Sequence, residues 1–255
     1  MAVCTLNFTS SQLKKNTEIV VCLPDSCRIG DGNLSDRKVV WLLHGLSDDD
    51  TAWLRYSRID KYCMERGLVA VMPDGDRSFY ADDFHGQNYF RYITEELPDY
   101  LEKVFGLSRR REDNFICGLS MGGYGALRMA LTYPERYAAV GSFSGVTDLS
   151  VLLAAAGTEE RMHDFAFLAE RIPDPAHSEY NPVCLLDPEK DRDLRIFVSC
   201  GLEDDLLPLN KLFEARCAAL GIRAHWEFVH GTHEWGLWDR MAEAFLDFAL
   251  SGDYE

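Results

Sequence analysis

The chain has 255 residues, 47% of them hydrophobic, which suits one large α/β domain spanning 1–255 with a substantial core. Its 42 acidic residues outnumber 26 basic ones, and the net charge of −16 argues against nucleic acid or an anionic membrane surface as a partner. No apolar run is long enough to span a bilayer, and the N-terminus lacks a basic segment followed by an apolar stretch, so a cytoplasmic protein is expected. The 8 cysteines are scattered without a Cys-x-x-Cys pair, and Cys22, Cys117 and Cys200 lie inside apolar strands. Buried free thiols are expected there, not disulfides or a metal site.

Residues 17–23 read as an early strand and 24–37 as a loop. Val39-Val40-Trp41-Leu42-Leu43 is a continuous apolar run, the pattern of a strand buried on both faces. A helix is expected over 59–66 and a second buried strand over 68–73. From Tyr89 to Phe105 apolar residues recur at helical spacing, with Pro98 either kinking that helix or marking its true start. Strands follow at 114–117, 138–143, 195–199 and 224–229, and helices at 126–131, 209–220 and 234–250. Between 149 and 187 the pattern loosens around Pro173, Pro175 and Pro182, which reads as a small insertion over the active site. Strand and helix otherwise alternate, predicting a mainly parallel central sheet with helices on both faces.

The most informative stretch is Gly118-Leu119-Ser120-Met121-Gly122-Gly123-Tyr124-Gly125-Ala126. A Gly-x-Ser-x-Gly sequence between a strand and a helix forms the nucleophile elbow of α/β-hydrolases. The turn is so tight that side chains two residues either side of the serine would clash, and Gly118 and Gly122 remove them. Ser120 would then stand at a helix N-terminus that favours developing negative charge.

A serine needs a base to take its proton, and in this fold class the order is Ser, then acid, then His. Cys200-Gly201-Leu202-Glu203-Asp204-Asp205 follows a strand directly, with Asp204 the favoured acid and Asp205 its rival. His233 is the favoured base, in the loop Val229-His230-Gly231-Thr232-His233, with His230 as its rival. His225 lies within a strand and reads as a surface or satisfied core residue. Two backbone N–H groups should hold the oxyanion, that of Met121 and that of Leu46 in the loop His44-Gly45-Leu46. Ser47 and Ser144 compete poorly: Asp49 replaces the second elbow glycine after Ser47, and Ser144 has no glycine two residues before it. Asp48-Asp49-Asp50 reads as a solvated loop capping a helix near Thr51 rather than a cation site. Trp53, Tyr80, Phe84, Tyr124 and Trp235 are candidates for an acyl or aromatic pocket, with Trp235, beside His233, closest to the site in sequence.

With these residues in place, the chain resembles the esterase family of α/β-hydrolases that includes esterase D (S-formylglutathione hydrolase), bacterial tributyrin esterases and feruloyl or acetyl-xylan esterases. The similarity covers nearly the whole chain. It runs through His44-Gly45-Leu46-Ser47-Asp48, Glu95-Glu96-Leu97-Pro98, the elbow, Cys200-Gly201-Leu202-Glu203-Asp204 and Gly231-Thr232-His233-Glu234-Trp235. The match places the acid on Asp204. Leu119 and Tyr124 resemble the tributyrin and feruloyl branch, where formylglutathione hydrolases more often carry His. The resemblance implies a serine ester hydrolase acting through an acyl-enzyme on a small-molecule ester, without cofactor or metal, and often as a homo-oligomer. S-formylglutathione hydrolysis is the alternative within the family. A non-catalytic binding protein on the same scaffold is the alternative outside it.

Overall fold

The computed structural model describes residues 1–25, 34–82, 86–155, 174–191 and 193–251. Its frame is one eight-stranded sheet in the order β1-β2-β4-β3-β5-β6-β7-β8. The strands are β1 (Ala2–Ser10), β2 (Lys15–Leu23), β3 (Val39–Leu43), β4 (Val69–Pro73), β5 (Asn114–Leu119), β6 (Ala139–Phe143), β7 (Arg195–Gly201) and β8 (His225–Val229). β1 pairs antiparallel with β2, and β2 antiparallel with β4. From β4 to β8 every pairing is parallel.

The five residues of β3 are all buried, because consecutive side chains point to opposite faces and both faces are covered. Val39, Trp41 and Leu43 enter one core, while Val40 and Leu42 enter the other. The first core is closed by α3 (Leu97–Phe105), α4 (Met121–Thr132) and α7 (Leu207–Leu220), through Leu101, Leu127 and Phe213. The second is closed by α1 (Ala52–Tyr56), α2 (Ile59–Arg66) and α8 (Trp235–Ser251), through Trp53, Tyr62 and Phe245. Because β3 and β5 to β8 run parallel, the loops that follow them leave the sheet at one end, where ligands of such sheets bind.

Pro98 proves to be compatible with a continuous helical run. Tyr89–Arg91 begins it, Tyr92–Glu96 takes π geometry, and α3 resumes with Pro98 in its first turn. A proline cannot donate to the carbonyl four residues back. Here that carbonyl, Thr94 O, receives Arg136 Nη1 at 2.9 Å instead. Glu96, in the same run, accepts from Ser11 N at 2.6 Å and Ser11 Oγ at 2.7 Å, and from Ser10 Oγ, and so fastens the β1–β2 turn to the helix.

Strand β1 is absent from the sequence reading. Its pattern mixes exposed and half-buried positions at the sheet edge, which gives little apolar signal. The 149–187 stretch contains α5 (Leu149–Ala155), a short 3-10 turn (Pro175–His177) and α6 (Pro182–Leu185), while 156–173 and Phe84 lie outside the described residues. Asn181 organises the described part: its Oδ1 accepts from Leu149 N at 3.1 Å, and its Nδ2 donates to Asp148 Oδ1 at 2.9 Å. No described helix is long and apolar enough to cross a membrane.

Candidate active site

Ser120 sits between β5 and α4 at φ 52° and ψ −117°. That conformation costs a non-glycine residue on the order of 1–3 kcal/mol and persists only where its surroundings over-determine it. They do so here. A Cβ on Gly122 would come within 2.2 Å of Leu43 O, and one on Gly118 within 2.5 Å of Gly122 O. Only glycine lets α4 begin this close to the end of β3. Ser120 N donates to Phe143 O at 2.9 Å, so the turn is also tied to β6.

The acid and base loops are zipped together beside it. Leu202 N donates to Val229 O at 2.9 Å and Glu203 N to Gly231 O at 3.1 Å. A Cβ on Gly201 would lie 2.1 Å from Gly231 O, so this approach requires glycine at the end of β7. Across the zipper His233 Nδ1 lies 3.0 Å from Asp204 Oδ2 and 3.2 Å from Oδ1. Its Nε2 lies 3.0 Å from Ser120 Oγ. The pattern assigns the imidazole one tautomer, Nδ1–H donating to the carboxylate and Nε2 accepting from the serine hydroxyl.

Asp204 is buried, and burial alone would raise its pKa. Hydrogen bonds from His233, from Leu206 N at 2.9 Å and from the Ser144 hydroxyl outweigh that, and the carboxyl is held below its usual range. Asp205, its rival in the sequence, is exposed. His230 is exposed too, with Nδ1 2.8 Å from Glu203 Oε1. His225 stacks on Phe197 at 5.0 Å and approaches Glu227, within β8.

The loop after β3 reaches the serine from the other side. A Cβ on Gly45 would lie 2.8 Å from Leu119 Cδ1 and 3.7 Å from Ser120 Cβ. His44, buried, fixes that loop: its Nδ1–H donates to Gly45 O at 2.7 Å and its Nε2 accepts from Gly75 N–H at 2.8 Å. Gly45 C=O and Leu46 N–H belong to one trans peptide and point in opposite directions, so holding the oxygen also aims the Leu46 N–H. The Met121 N–H opens α4, where the first-turn donors lack a partner within their own helix. The sequence places Leu46 in this loop, and the structure adds the partner that holds it, Gly75 after the end of β4.

Three of the pocket candidates prove to be buried in the core. Tyr124 is fully buried, and its hydroxyl donates to Tyr180 O at 2.8 Å. It pins the 174–187 segment to α4 and does not face a substrate. Tyr80 and Trp53 are likewise buried, Tyr80 donating to His44 O at 2.9 Å and Trp53 Nε1 to Leu43 O at 3.2 Å. Trp235 is half-buried and packs against Trp53 at 5.2 Å, Tyr56 at 5.3 Å and Trp238 at 5.6 Å. The ring that touches the base is Trp238, edge-on to His233 at 4.8 Å, a residue of α8 that was not among the pocket candidates.

The acidic loop is only partly solvated. Asp49 Oδ1 accepts from Thr51 N at 2.9 Å in the turn before α1, but Asp50 is buried, and burial with Glu18 and Asp74 nearby pushes its pKa up to about 6. No group of three or more His, Cys, Asp or Glu side chains among the described residues is placed to hold a metal.

This arrangement matches known serine hydrolases over almost its whole length. An acetyl esterase of Caldicellulosiruptor saccharolyticus is 30% identical over 96% of this chain and 97% of its own. The substrate-bound fluorophosphonate-binding serine hydrolase FphF of Staphylococcus aureus superposes with TM-score 0.86 at 30% identity, covering 97% of this chain and 98% of that one. The S-formylglutathione hydrolase FrmB of the same organism gives TM-score 0.85 at 30% identity, with the same coverage. The Esterase family model matches residues 10–247, and the chain belongs to that family of α/β-fold serine ester hydrolases.

Proposed function

We propose that the protein hydrolyses short-chain acyl or aromatic-acid esters through an acyl-enzyme on Ser120. The observation that carries this reading is the continuous chain from Ser120 Oγ to His233 Nε2 at 3.0 Å and from His233 Nδ1 to Asp204 at 3.0 Å. Ser120 Oγ attacks the acyl carbonyl as His233 Nε2 takes its proton. Asp204 holds the imidazole in the required tautomer and stabilises the imidazolium. The N–H groups of Leu46 and Met121 receive the oxyanion. The tetrahedral intermediate collapses when His233 returns the proton to the leaving alcohol. A water, deprotonated by His233, then attacks the acyl-serine and releases the acid. The likeness to an acetyl esterase favours small acyl groups. Trp235 and the exposed Tyr56 offer an aromatic surface one ring removed from His233.

Purified protein should hydrolyse p-nitrophenyl acetate and butyrate, and a fluorophosphonate probe should label Ser120. Turnover no faster than that of Ser120→Ala would sink this reading. The second reading, thioester hydrolysis of S-formylglutathione, is favoured by the likeness to FrmB. A panel of that thioester against acetyl, butyryl and feruloyl esters separates the two by kcat/KM. The 7 free cysteines among the described residues suit a reducing compartment, and we place the reaction in the cytoplasm on that ground.

A further inference from the structure

Ser144 ends β6 as Ser120 ends β5, and it carries the same unusual backbone, φ 49° against 52°. It is fully buried, so it has no access to substrate. Its N–H donates to Ser199 O at 2.7 Å, which ties it to the strand that leads into the acid loop. Its hydroxyl oxygen accepts from Trp238 Nε1 at 3.1 Å. Its hydroxyl also lies beside the Asp204 carboxyl and the Cys200 thiol. Trp238 in turn sets its ring edge-on against His233, at 4.8 Å and 87°. The contacts run from Ser144 to Trp238, from Trp238 to His233, and from His233 to Asp204.

We propose that Ser144 is a positioning residue for the Asp204–His233 pair, and that its strained backbone is retained because it aims the hydroxyl oxygen at Trp238, whose ring packs on His233. The inference rests on the reading of Ser120, Asp204 and His233 given above. A left-handed backbone at a buried serine costs stability that glycine would not. A chain selected only to make this turn would do better with glycine. The hydroxyl is the one group that distinguishes serine here from both glycine and alanine, and its hydrogen bond leads through Trp238 to the base.

Two substitutions separate a positioning role from a structural one. Ser144→Ala removes the hydroxyl and keeps the strain, whereas Ser144→Gly removes both. Thermal melting should therefore place the glycine variant above the alanine variant by about 2–4 °C. On p-nitrophenyl acetate both should lose about tenfold in kcat with KM within about twofold of wild type, since the lost bond supports the reacting pair and not the bound ester. Trp238→Phe keeps a ring against His233 but removes the N–H, and it should lower kcat in the same direction. The inference is overturned if both Ser144 variants keep wild-type kcat while Ser120→Ala is inactive, or if Ser144→Gly recovers wild-type kcat along with its stability. Wild type no faster than Ser120→Ala would instead overturn the esterase reading itself, and this inference with it.

Discussion

Two histidine–carboxylate pairs hang from the same two loops. Glu203 meets His230 at 2.8 Å, and Asp204 meets His233 at 3.0 Å. By distance the first is the closer. By surroundings they are opposites: the side chains are 88% and 51% exposed in the His230–Glu203 pair, and 38% and 0% in the His233–Asp204 pair. An exposed pair is surrounded by water and worth roughly 0–1 kcal/mol. A buried carboxylate gripped by fixed donors interacts with its imidazole through a medium of much lower dielectric. Only His233 also has a second nitrogen within reach of a nucleophile. Contact between a histidine and an acid is therefore not the distinguishing feature. Burial of the acid and reach of the far nitrogen are.

The largest effect should come from the base of the buried pair. His233→Gln leaves Ser120 without a proton acceptor of the right basicity, and kcat on p-nitrophenyl acetate should fall by about 10⁵–10⁶ while the thermal melt stays cooperative. Asp204→Asn comes next. It keeps the shape but presents an amide where His233 Nδ1–H must donate, so kcat should fall by about 10⁴. If either variant kept more than about a tenth of wild-type kcat, the assignment of acid and base would be wrong.

How far the pairs were legible follows from what each signal depends on. The elbow is a local requirement, glycines at fixed offsets from Ser120, and it can be read along the chain. The strands β3, β4 and β5 are equally legible, because burial on both faces writes an unbroken apolar run. The order of acid and base narrowed the field to two residues at each position. Choosing between them needed more, since Asp204 differs from Asp205, and His233 from His230, only in where the folded loops point them. Loop geometry favoured His233 as the base, and the resemblance to a family placed the acid on Asp204. Tyr124 shows the converse. Its place beside the elbow suggested a pocket, yet the helical turn directs it into the core, towards Tyr180. Ser144 and Trp238 were beyond reach, because their contacts join β6, the acid loop and α8, segments about 60 to 90 residues apart in sequence.

Acid titration should separate the pairs by a smaller margin. The Asp204 carboxyl is held below its usual range in the folded protein, and an unfolded aspartate titrates near 3.9. The group thus contributes stability that is fully present above about pH 4 and is lost as pH falls through its folded pKa. Melting temperature measured from pH 6 downwards should fall more steeply in wild type than in Asp204→Asn below about pH 4, where the variant has no carboxylate to protonate. Glu203 is also held low, chiefly by Gly231 N–H and then by His230, but its side chain is half-exposed and screened by water. Glu203→Gln should therefore flatten the slope less than Asp204→Asn does.

The smallest effect is the sharpest test of the comparison. His230→Ala removes a histidine three residues from the base, in the same loop, with the shorter contact to an acid. If proximity to the site or contact with a carboxylate were what mattered, this variant would be impaired. On the argument from burial, it should keep kcat and KM within about twofold of wild type and shift stability by no more than about 0.5 kcal/mol. Gly231 N–H still donates to Glu203 Oε2 at 2.8 Å in its absence, so the glutamate keeps a partner and the zipper between the loops is preserved. A kcat reduced tenfold or more would mean that the exposed pair holds the base loop in register, and the line drawn between the two pairs would have to move.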